Sequence, residues 1–491
     1  MQSLGKFIGI LTGIIIISLG CSNSIAKHKA APVAKSIFGT QNLSDEINRI
    51  VQDVDSNANI GIQIKSMKNG DLLYSRNENH LFVPASILKI ITAQAALLYL
   101  GPEYKFTTTL VTDAKAINNG VVQGNVYLKH SGDPSLTFYD LTDLMVALKS
   151  RQIQQINGNV YIDNTAYDDV QYGPGWIWND KRFCFAAPIS ASIIDHNCLT
   201  FQILPSKSVG KLANIVESPR FYYSFIQNSV VTKSAYSRSC YIHLTNNADS
   251  SISVTGCMPK GKYAQGVTTV ISDVIDYNKS MMRDLFKRAG IQVTGSIEVG
   301  AAPANAQAIA THDSKPLHLL INKMLKMSDN IIAGSIFKKI GSIYSKQPGS
   351  WENGRTAVSN ILAQKAGVNT LNMNVLDGSG LSRYNQITPS QMMQLLDFSY
   401  HHFATNYEFI SALPIAGVDG TLKGRLRNIA WKVRAKTGTM SGVVALAGYA
   451  ISQDKEPIAF VIMVNGRNGL GWKYKDLEDR IVTALTKYSR T

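Results

Sequence analysis

The spacing of apolar residues near the start of the chain predicts a helix followed by a β-hairpin. Residues 43–54 carry apolar side chains at helical spacing, with Ser44 as N-cap, and so predict an amphipathic helix. Residues 59–64 and 72–74 are β-prone, and the polar segment 68–71 joins them. A hairpin is therefore expected, and it leads into residues 86–100, which are mostly apolar on every side and indicate a buried helix.

The end of the chain shows a similar pattern. Residues 443–450 and 458–464 read as strands around the charged turn 453–457, and residues 477–488 read as a closing helix. The two chain ends thus supply a sheet flanked by helices. The fold class predicted is a mixed α/β (α+β) domain built from both ends of the chain.

A long stretch separates these two ends. Ser328, which opens the second motif described below, follows Ser86 by 242 positions. Residues 107–111, 122–128 and 156–162 read as short strands, as do 239–244 and 251–255. We therefore expect one or two mostly β domains inserted into the first.

The predicted boundaries follow from this division. The discontinuous main domain is assigned to 36–104 and 275–491, the first insert to 105–200, resuming at about 260–274, and a nested second insert to 201–260. Two to three domains also suit a chain of 491 residues.

The first 26 residues are typical of a secretory signal peptide. Lys6 precedes an apolar run over 7–19, and Ser24-Ile25-Ala26 forms a small-x-small cleavage site. An alternative is lipid anchoring at Cys21, which follows Leu19-Gly20, although Ser18 stands where that pattern usually has Leu. The favoured reading is cleavage after Ala26 and a periplasmic mature protein.

The charge balance bears on the partners. The chain has a formal net charge of +15, with 45% hydrophobic and 17% charged residues, which is an ordinary globular balance apart from its basicity. A solvated basic surface accounts for the charge, and peripheral association with a membrane or an anionic polymer stays open. No nucleic-acid motif is present, so nucleic acid is not an expected partner.

The cysteines predict disulfides rather than a metal site. Without Cys21, the chain keeps Cys184, Cys198, Cys240 and Cys257, an even number for an exported protein. Of the three connectivities, the short loops 184 to 198 and 240 to 257 are favoured. No metal site is predicted, because the sequence has no Cys-x-x-Cys or His-Glu-x-x-His pattern.

The candidate chemistry begins at the start of the buried helix. Ser86 and Lys89 lie three apart, so both would occupy one face of its first turn. A serine needs a base to become a nucleophile, and a lysine can be that base only if burial or another cation lowers its pKa. This pair by itself occurs often by chance.

Two further motifs make the pattern specific. Ser328-Asp329-Asn330 opens an apolar helical run, and Lys436-Thr437-Gly438-Thr439 precedes the strand pattern at 443–450. This order of S-x-x-K, S-D-N and K-T-G is the set described for serine penicillin-binding proteins and β-lactamases. Short decoys such as Ser75-Arg76-Asn77 lack the order and the structural context.

Taken together, these motifs resemble those of the class C low-molecular-mass penicillin-binding proteins, a D-alanyl-D-alanine carboxypeptidase/endopeptidase family. Further matching stretches lie at 129–136, 173–180, 187–188 with 195–197, 377–383 and 416–422. The resemblance covers nearly the whole mature chain. It implies a transpeptidase fold of the penicillin-binding and serine β-lactamase type, with one or two mostly β inserted domains.

The resemblance also implies residue roles. Ser86 would be the nucleophile and Lys89 its base, while Ser328 would pass the proton to the leaving amine. Asn330 would hold Lys89 and the substrate amide, and Lys436 would act electrostatically. The K-T-G strand would bind the terminal carboxylate through Thr437, Gly438 and Thr439. The backbone N–H groups of Ser86 and Thr439 would form the oxyanion hole.

By the same resemblance, Asp180, Phe185 and Arg383 would line the cleft and bind the stem peptide. Asp180 could equally cap a turn, and Arg383 could serve an internal ion pair.

The implied reaction is acyl transfer on peptidoglycan peptides through a Ser86 acyl-enzyme, without a cofactor and with β-lactams as covalent inhibitors. A β-lactamase-like hydrolase and a non-catalytic wall scaffold are the alternatives; the balance of carboxypeptidase and endopeptidase activity, the third stem residue and the oligomeric state stay open.

Overall fold

The structure is a computed structural model that describes residues 37–54, 58–216, 226–247, 251–466 and 471–490. The predicted signal peptide and Cys21 lie outside the described residues. The helices are α1 (Gly39–Gln52), α2 (Lys89–Tyr99), α3 (Phe138–Ser150), α4 (Val274–Ala289), α5 (Leu317–Met327), α6 (Asn330–Ser345), α7 (Trp351–Ala366), α8 (Pro389–His401), α9 (Asn406–Ala412) and α10 (Trp472–Lys487). The strands are β1 (Ile37–Phe38), β2 (Asn59–Ser66), β3 (Leu72–Arg76), β4 (Thr107–Thr112), β5 (Ile117–Asn118), β6 (Val121–Val122), β7 (Val126–Lys129), β8 (Gln155–Ile156), β9 (Val160–Asp163), β10 (Cys198–Leu204), β11 (Asn214–Val216), β12 (Ile226–Lys233), β13 (Ile242–Asn246), β14 (Ile252–Pro259), β15 (Gln265–Val270), β16 (Gln292–Val293), β17 (Ile297–Val299), β18 (Gln307–Asp313), β19 (Val433–Met440), β20 (Val443–Ile451), β21 (Pro457–Asn465) and β22 (Tyr488–Ser489).

One sheet joins the two ends of the chain, as the sequence predicts. Its strand order is β19-β20-β21-β2-β3, and every neighbouring pair is antiparallel. The hairpin of β2 and β3 is present, and β2 pairs with β21 in a register that sets Ile62 opposite Ile462. The mixed α/β fold class is confirmed by this sheet and its flanking helices.

Both faces of this sheet are buried. Alternate strand residues such as Leu446 and Ile462 pack with Leu43 and Ile481 of α1 and α10. The residues between them, including Ala445 and Val461, pack with α2 on the opposite face. Burial on both faces explains why β20 and β21 are almost continuously apolar, and it packs α2 against β20 and β21, next to the strand that carries K-T-G.

The long insert contributes further sheets with a hydrophobic core of their own. One has the order β17-β9-β7-β4-β18, and others are β16-β8-β6-β5, β11-β10-β15 and β12-β14-β13. Leu128, Ile162, Phe201 and Met282 belong to the same buried cluster, so α4 packs on these strands.

The strands after residue 275 do not return directly to the main sheet. Strands β16, β17 and β18 pair with β8, β9 and β4 of the insert. The predicted resumption of the main domain at 275 therefore departs from the strand pairing, which keeps the chain in the insert sheets up to Asp313. The cause is long-range: the open edges of β4 and β9 are filled by later segments. Division into separate domains stays a prediction, since residues 36–491 cluster as one compact unit.

Two disulfides close short loops in the insert. Cys184 is bonded to Cys198, and Cys240 is bonded to Cys257. This is the pairing that the sequence favours. Within the described ranges, no helix is long and apolar enough to cross a membrane.

Candidate active site

Ser86 lies in the turn that enters the buried helix. Residues Ala85–Leu88 form a short 3-10 helix, and α2 continues from Lys89. Ala85 adopts a left-handed backbone with φ of 49°, an uncommon conformation for a residue with a side chain. Ser86 itself is half-buried, so its hydroxyl lies at the border between the core and the cleft.

Lys89 is fully buried, and its amine is held by three oxygen atoms. Its Nζ lies 3.0 Å from Ser86 Oγ, 2.6 Å from Asn330 Oδ1 and 2.6 Å from the Ser379 carbonyl. Burial lowers the pKa of Lys89 from 10.5 to about 7, although the carboxylates of Asp377 and Asp329 act to raise it. A substantial fraction of this amine is therefore neutral near neutral pH and can accept the serine proton.

The S-D-N motif lies at the junction of two helices. Helix α5 ends at Met327, its C-cap Ser328 has a left-handed φ of 59°, and α6 begins at Asn330. The Asp329 carboxylate caps α6 by accepting hydrogen bonds from the backbone N–H groups of Ile331 and Ile332. The tight turn directs Ser328 and Asn330 to the same cluster as Ser86.

His196 fixes this turn from the insert. Its Nε2 lies 3.1 Å from Asp329 Oδ2, and its own backbone is left-handed with φ of 61°. The pKa of Asp329 stays below its ordinary value, because His196 and the backbone N–H of Ile332 together outweigh the effect of burial. His196 lies in the stretch 195–197 that matches the penicillin-binding proteins, but no role was predicted for it.

Lys436 brings the edge strand β19 to the cluster. Its Nζ donates to Ser328 Oγ at 2.9 Å and to the Thr437 carbonyl at 2.8 Å. Burial, with a smaller contribution from the charge of Lys89, holds the pKa of Lys436 well below its ordinary value. From the sequence, burial and a second cation were both predicted as causes of a lowered lysine pKa. Burial lowers the pKa of Lys89, and it is the larger of the two causes for Lys436.

Gly438 allows β19 to lie against the serine turn. A Cβ at this position would come within 2.8 Å of the Pro84 carbonyl, so the approach requires glycine. Thr439 is exposed beyond it, and the Thr437 hydroxyl lies 2.8 Å from the hydroxyl of Thr421. Thr421 belongs to the stretch 416–422, and no role was predicted for it.

The loop at 377–383 supplies one of the hydrogen-bond acceptors of Lys89. The buried Asp377 carboxylate accepts hydrogen bonds from Trp176 Nε1, Ser379 Oγ and Asn385 Nδ2, and from backbone N–H groups at 380–382. This network holds the Ser379 carbonyl against Lys89. The D-G-S-G signature was visible in the sequence, but its hydrogen bonds could not be read from it.

The three residues predicted to line the cleft differ in their distance from the catalytic cluster, which consists of Ser86, Lys89, Ser328, Asn330 and Lys436. Asn330 Nδ2 donates to the Phe185 carbonyl at 2.8 Å, so Phe185, with an exposed ring, adjoins the cluster. Arg383 Nη1 donates to the Ser441 carbonyl at 2.5 Å, just past K-T-G. Asp180 is half-buried in the 3-10 helix Trp178–Arg182, and in the described part of the chain no hydrogen bond joins its side chain to the cluster.

A cavity of about 690 Å³ opens beside these residues. Ser328, Asn330 and Phe185 line it together with His196 and Lys323. Its size is that of a small-ligand site. No cluster of three or more potential metal ligands occurs among the described residues.

The sheet, the buried helix and the three motifs in one cleft define a class of protein. A serine paired with a buried lysine, a second serine paired with a second buried lysine, and an edge strand carrying K-T-G are the features of active-site-serine, penicillin-recognising enzymes.

Comparison with known proteins narrows this class to a family. The model of the D-Ala-D-Ala carboxypeptidase 3 (S13) family matches residues 43–488, and the chain belongs to this family. It is 33% identical over 458 residues to the D-alanyl-D-alanine carboxypeptidase DacB of Haemophilus influenzae, covering 92% of this chain and 93% of that protein.

Solved structures agree with this assignment. The crystal structure of penicillin binding protein 4 from Haemophilus influenzae aligns with a TM-score of 0.81 and 31% identity, covering 90% of this chain and 99% of that one. The same protein complexed with a β-lactam aligns with a TM-score of 0.76 and 29% identity, covering 90% of this chain and 100% of that one.

Proposed function

We propose that this chain is an exported serine D-alanyl-D-alanine carboxypeptidase and DD-endopeptidase that acts on the stem peptides and cross-links of peptidoglycan. The observation that carries the proposal is the buried Lys89 amine, 3.0 Å from Ser86 Oγ, with its pKa lowered to about 7. Membership of a D-Ala-D-Ala carboxypeptidase family supports the substrate class.

The acylation step uses the Ser86 and Lys89 pair. The neutral Lys89 amine accepts the proton of Ser86 Oγ as this oxygen attacks the carbonyl carbon of the penultimate D-alanine. The Ser379 carbonyl and Asn330 Oδ1 hold the amine by accepting its hydrogen bonds. They orient its lone pair toward the serine and then stabilise the ammonium that forms.

The second pair of residues serves the leaving group. Ser328 Oγ receives a hydrogen bond from Lys436 Nζ and can pass a proton to the departing amine. Lys89 then returns to Ser328 the proton that it took from Ser86, so Lys89 is neutral again, while Lys436 Nζ holds the Ser328 hydroxyl in place beside the terminal carboxylate of the substrate. The Thr437 and Thr439 hydroxyls bind this carboxylate, while the N–H groups of Ser86 and Thr439 stabilise the oxyanion.

Water then hydrolyses the acyl-enzyme, with Lys89 again acting as base. In the carboxypeptidase reaction the leaving group is D-alanine, and in the endopeptidase reaction it is the amine of a cross-linked stem. Phe185 and Arg383 contact the stem peptide, and Asp180 has the same proposed role. A β-lactam resembles the D-alanyl-D-alanine end and acylates the same serine.

Export to the periplasm follows from the same proposal. The predicted signal peptide at 1–26 would direct the chain to the compartment that holds its substrate, and the disulfides suit an oxidising compartment.

The test is labelling of purified protein with a fluorescent penicillin, followed by intact-mass analysis and by hydrolysis of a pentapeptide that ends in D-Ala-D-Ala. Wild type should give one slowly decaying adduct and release D-alanine, whereas Ser86→Ala should do neither. Ser75→Ala, in the decoy S-x-N of strand β3, is the matched control and should behave as wild type. A cross-linked muropeptide dimer tests the endopeptidase reaction.

Other outcomes would contradict the proposal. Fast turnover of nitrocefin without peptide hydrolysis would indicate a β-lactamase. A wild-type protein that stays unlabelled at high reagent concentration would indicate a non-catalytic scaffold.

A further inference from the structure

At one end of the strands of the sheet β12-β14-β13 lie loops that have no role in the proposed catalysis. Strands β12 and β14 are parallel and end side by side, with Lys233 paired to Pro259. Strand β13 is antiparallel to β14 and begins at the same end of the sheet. Loops 234–241 and 260–264 therefore emerge together, and we call these loops with Lys233 the insert tip.

The insert tip is held in one shape. The Lys260 N–H donates to the Lys233 carbonyl at 2.9 Å and joins the two loops at their bases. The disulfide between Cys240 and Cys257 ties loop 234–241 to strand β14, which leads into loop 260–264, and the Cys257 N–H donates to the Tyr241 carbonyl at 3.2 Å. These bonds keep the side chains of the two loops on one surface.

The insert tip is strongly basic. It carries Lys233, Arg238, Lys260 and Lys262, all exposed. The described segments 226–247 and 251–272 that build its sheet contain no Asp or Glu to neutralise them. Arg238, Lys260 and Lys262 also line one shallow cavity of about 350 Å³, so three of the four cations converge.

Aromatic side chains lie among these cations. Tyr236 is 92% exposed, Tyr263 is 95% exposed and Tyr241 is 70% exposed. Tyrosine is favoured where one end of a side chain meets lipid and the other meets water. Exposed tyrosines interleaved with cations that form no ion pair with another described residue match the interfacial region of an anionic bilayer, whose surface attracts nearby Lys and Arg side chains.

We infer that the insert tip is a membrane-docking surface that binds bilayers containing anionic phospholipid. Its partner is the lipid surface, with the phosphate headgroups between Arg238, Lys260 and Lys262 and the tyrosine rings at the headgroup level. The inference goes beyond the proposed peptidase activity and does not depend on it, because the tip contains none of the proposed catalytic residues.

Vesicle co-sedimentation tests the inference on residues 27–491, which include the whole described unit but no signal peptide. Wild type should bind vesicles of phosphatidylethanolamine with 30% phosphatidylglycerol, and should not bind phosphatidylcholine vesicles. Each cation close to an anionic surface strengthens binding about fivefold. Lys260→Glu with Lys262→Glu should thus weaken the partition coefficient at least about 25-fold, and Tyr236→Ser with Tyr263→Ser should weaken it several-fold.

The matched control is Lys115→Glu with Lys473→Glu, which makes the same change in net charge at two exposed lysines elsewhere in the chain. It should weaken binding far less than the tip variant, and all variants should keep wild-type penicillin labelling. Equal loss in the tip and control variants would mean that net charge alone causes binding and would overturn the inference. So would equal binding to both kinds of vesicle, or binding to purified peptidoglycan sacculi without binding to vesicles.

Discussion

The pH dependence of acylation is the sharpest consequence of the buried Lys89. Lowering its pKa from 10.5 to about 7 corresponds to about 5 kcal/mol of lost stability of the ammonium form relative to water. With this pKa, about half of the amine is neutral at pH 7 and about 1% is neutral at pH 5. The second-order rate constant for acylation should therefore be about 50-fold lower at pH 5 than at pH 7.

Stopped-flow acylation by a chromogenic cephalosporin between pH 5 and 10 measures this profile. The rate should rise about tenfold per pH unit at low pH and level off at about pH 8. An ordinary lysine would instead give a rate that still rises tenfold per unit at pH 9. A profile of that second kind would refute the argument that burial supplies the neutral base.

Two variants separate Lys89 from other titrating groups. Lys89→Arg places a guanidinium that stays protonated at the same position, so acylation should be lost at every pH. The matched control, Lys149→Arg at an exposed position of α3, should keep the wild-type profile. Near-normal acylation by Lys89→Arg would show that another group accepts the serine proton.

A third variant should move the profile. Asp329 raises the pKa of Lys89 through its negative charge, and asparagine can replace it as helix N-cap. Asp329→Asn removes charge that stabilises the ammonium, so the low-pH limb should shift to lower pH. The control is Asp143→Asn, at an exposed position of α3, which should leave the low-pH limb unchanged. A shift of this limb to higher pH in Asp329→Asn would contradict the expected effect of the Asp329 charge on the pKa of Lys89.

Three further predictions test the supports of the site. Asp377→Ala leaves several buried donors without an acceptor and should lower the free energy of unfolding by about 3–5 kcal/mol in a denaturant titration, whereas an effect below about 1 kcal/mol would contradict the network. Gly380→Ala would set a Cβ 1.9 Å from the Ala85 carbonyl oxygen and should reduce penicillin labelling at least tenfold. The control is Gly442→Ala, which also has a positive φ but faces open space. Equal loss of labelling in both variants would mean that backbone strain alone causes the effect. Arg383→Gln should raise KM for the pentapeptide at least fivefold with little change in β-lactam acylation, and the opposite pattern would remove it from the peptide site.

Local patterns in the sequence predicted much of the fold. Alternation around residues 59–74 and 443–464 predicted strands that form the main sheet, because a strand exposes its two faces in turn. The apolar stretch after Ser86 predicted α2, and the pairing of the four cysteines followed from their short spacing. Strand partners across the insert were not predictable, since the pairing of β18 with β4 joins residues about 200 positions apart.

By itself, the sequence determined which chemical groups are present and their order: Ser86 one helical turn from Lys89, then S-D-N, then K-T-G. Only the tertiary structure decided what those groups can do. Packing of α2, α6 and the 377–383 loop removes water from Lys89 and leaves its amine with oxygen partners from segments up to 290 positions away. The lowered pKa is a property of that surrounding protein, because desolvation depends on everything packed around an amine and not on its neighbours in the chain.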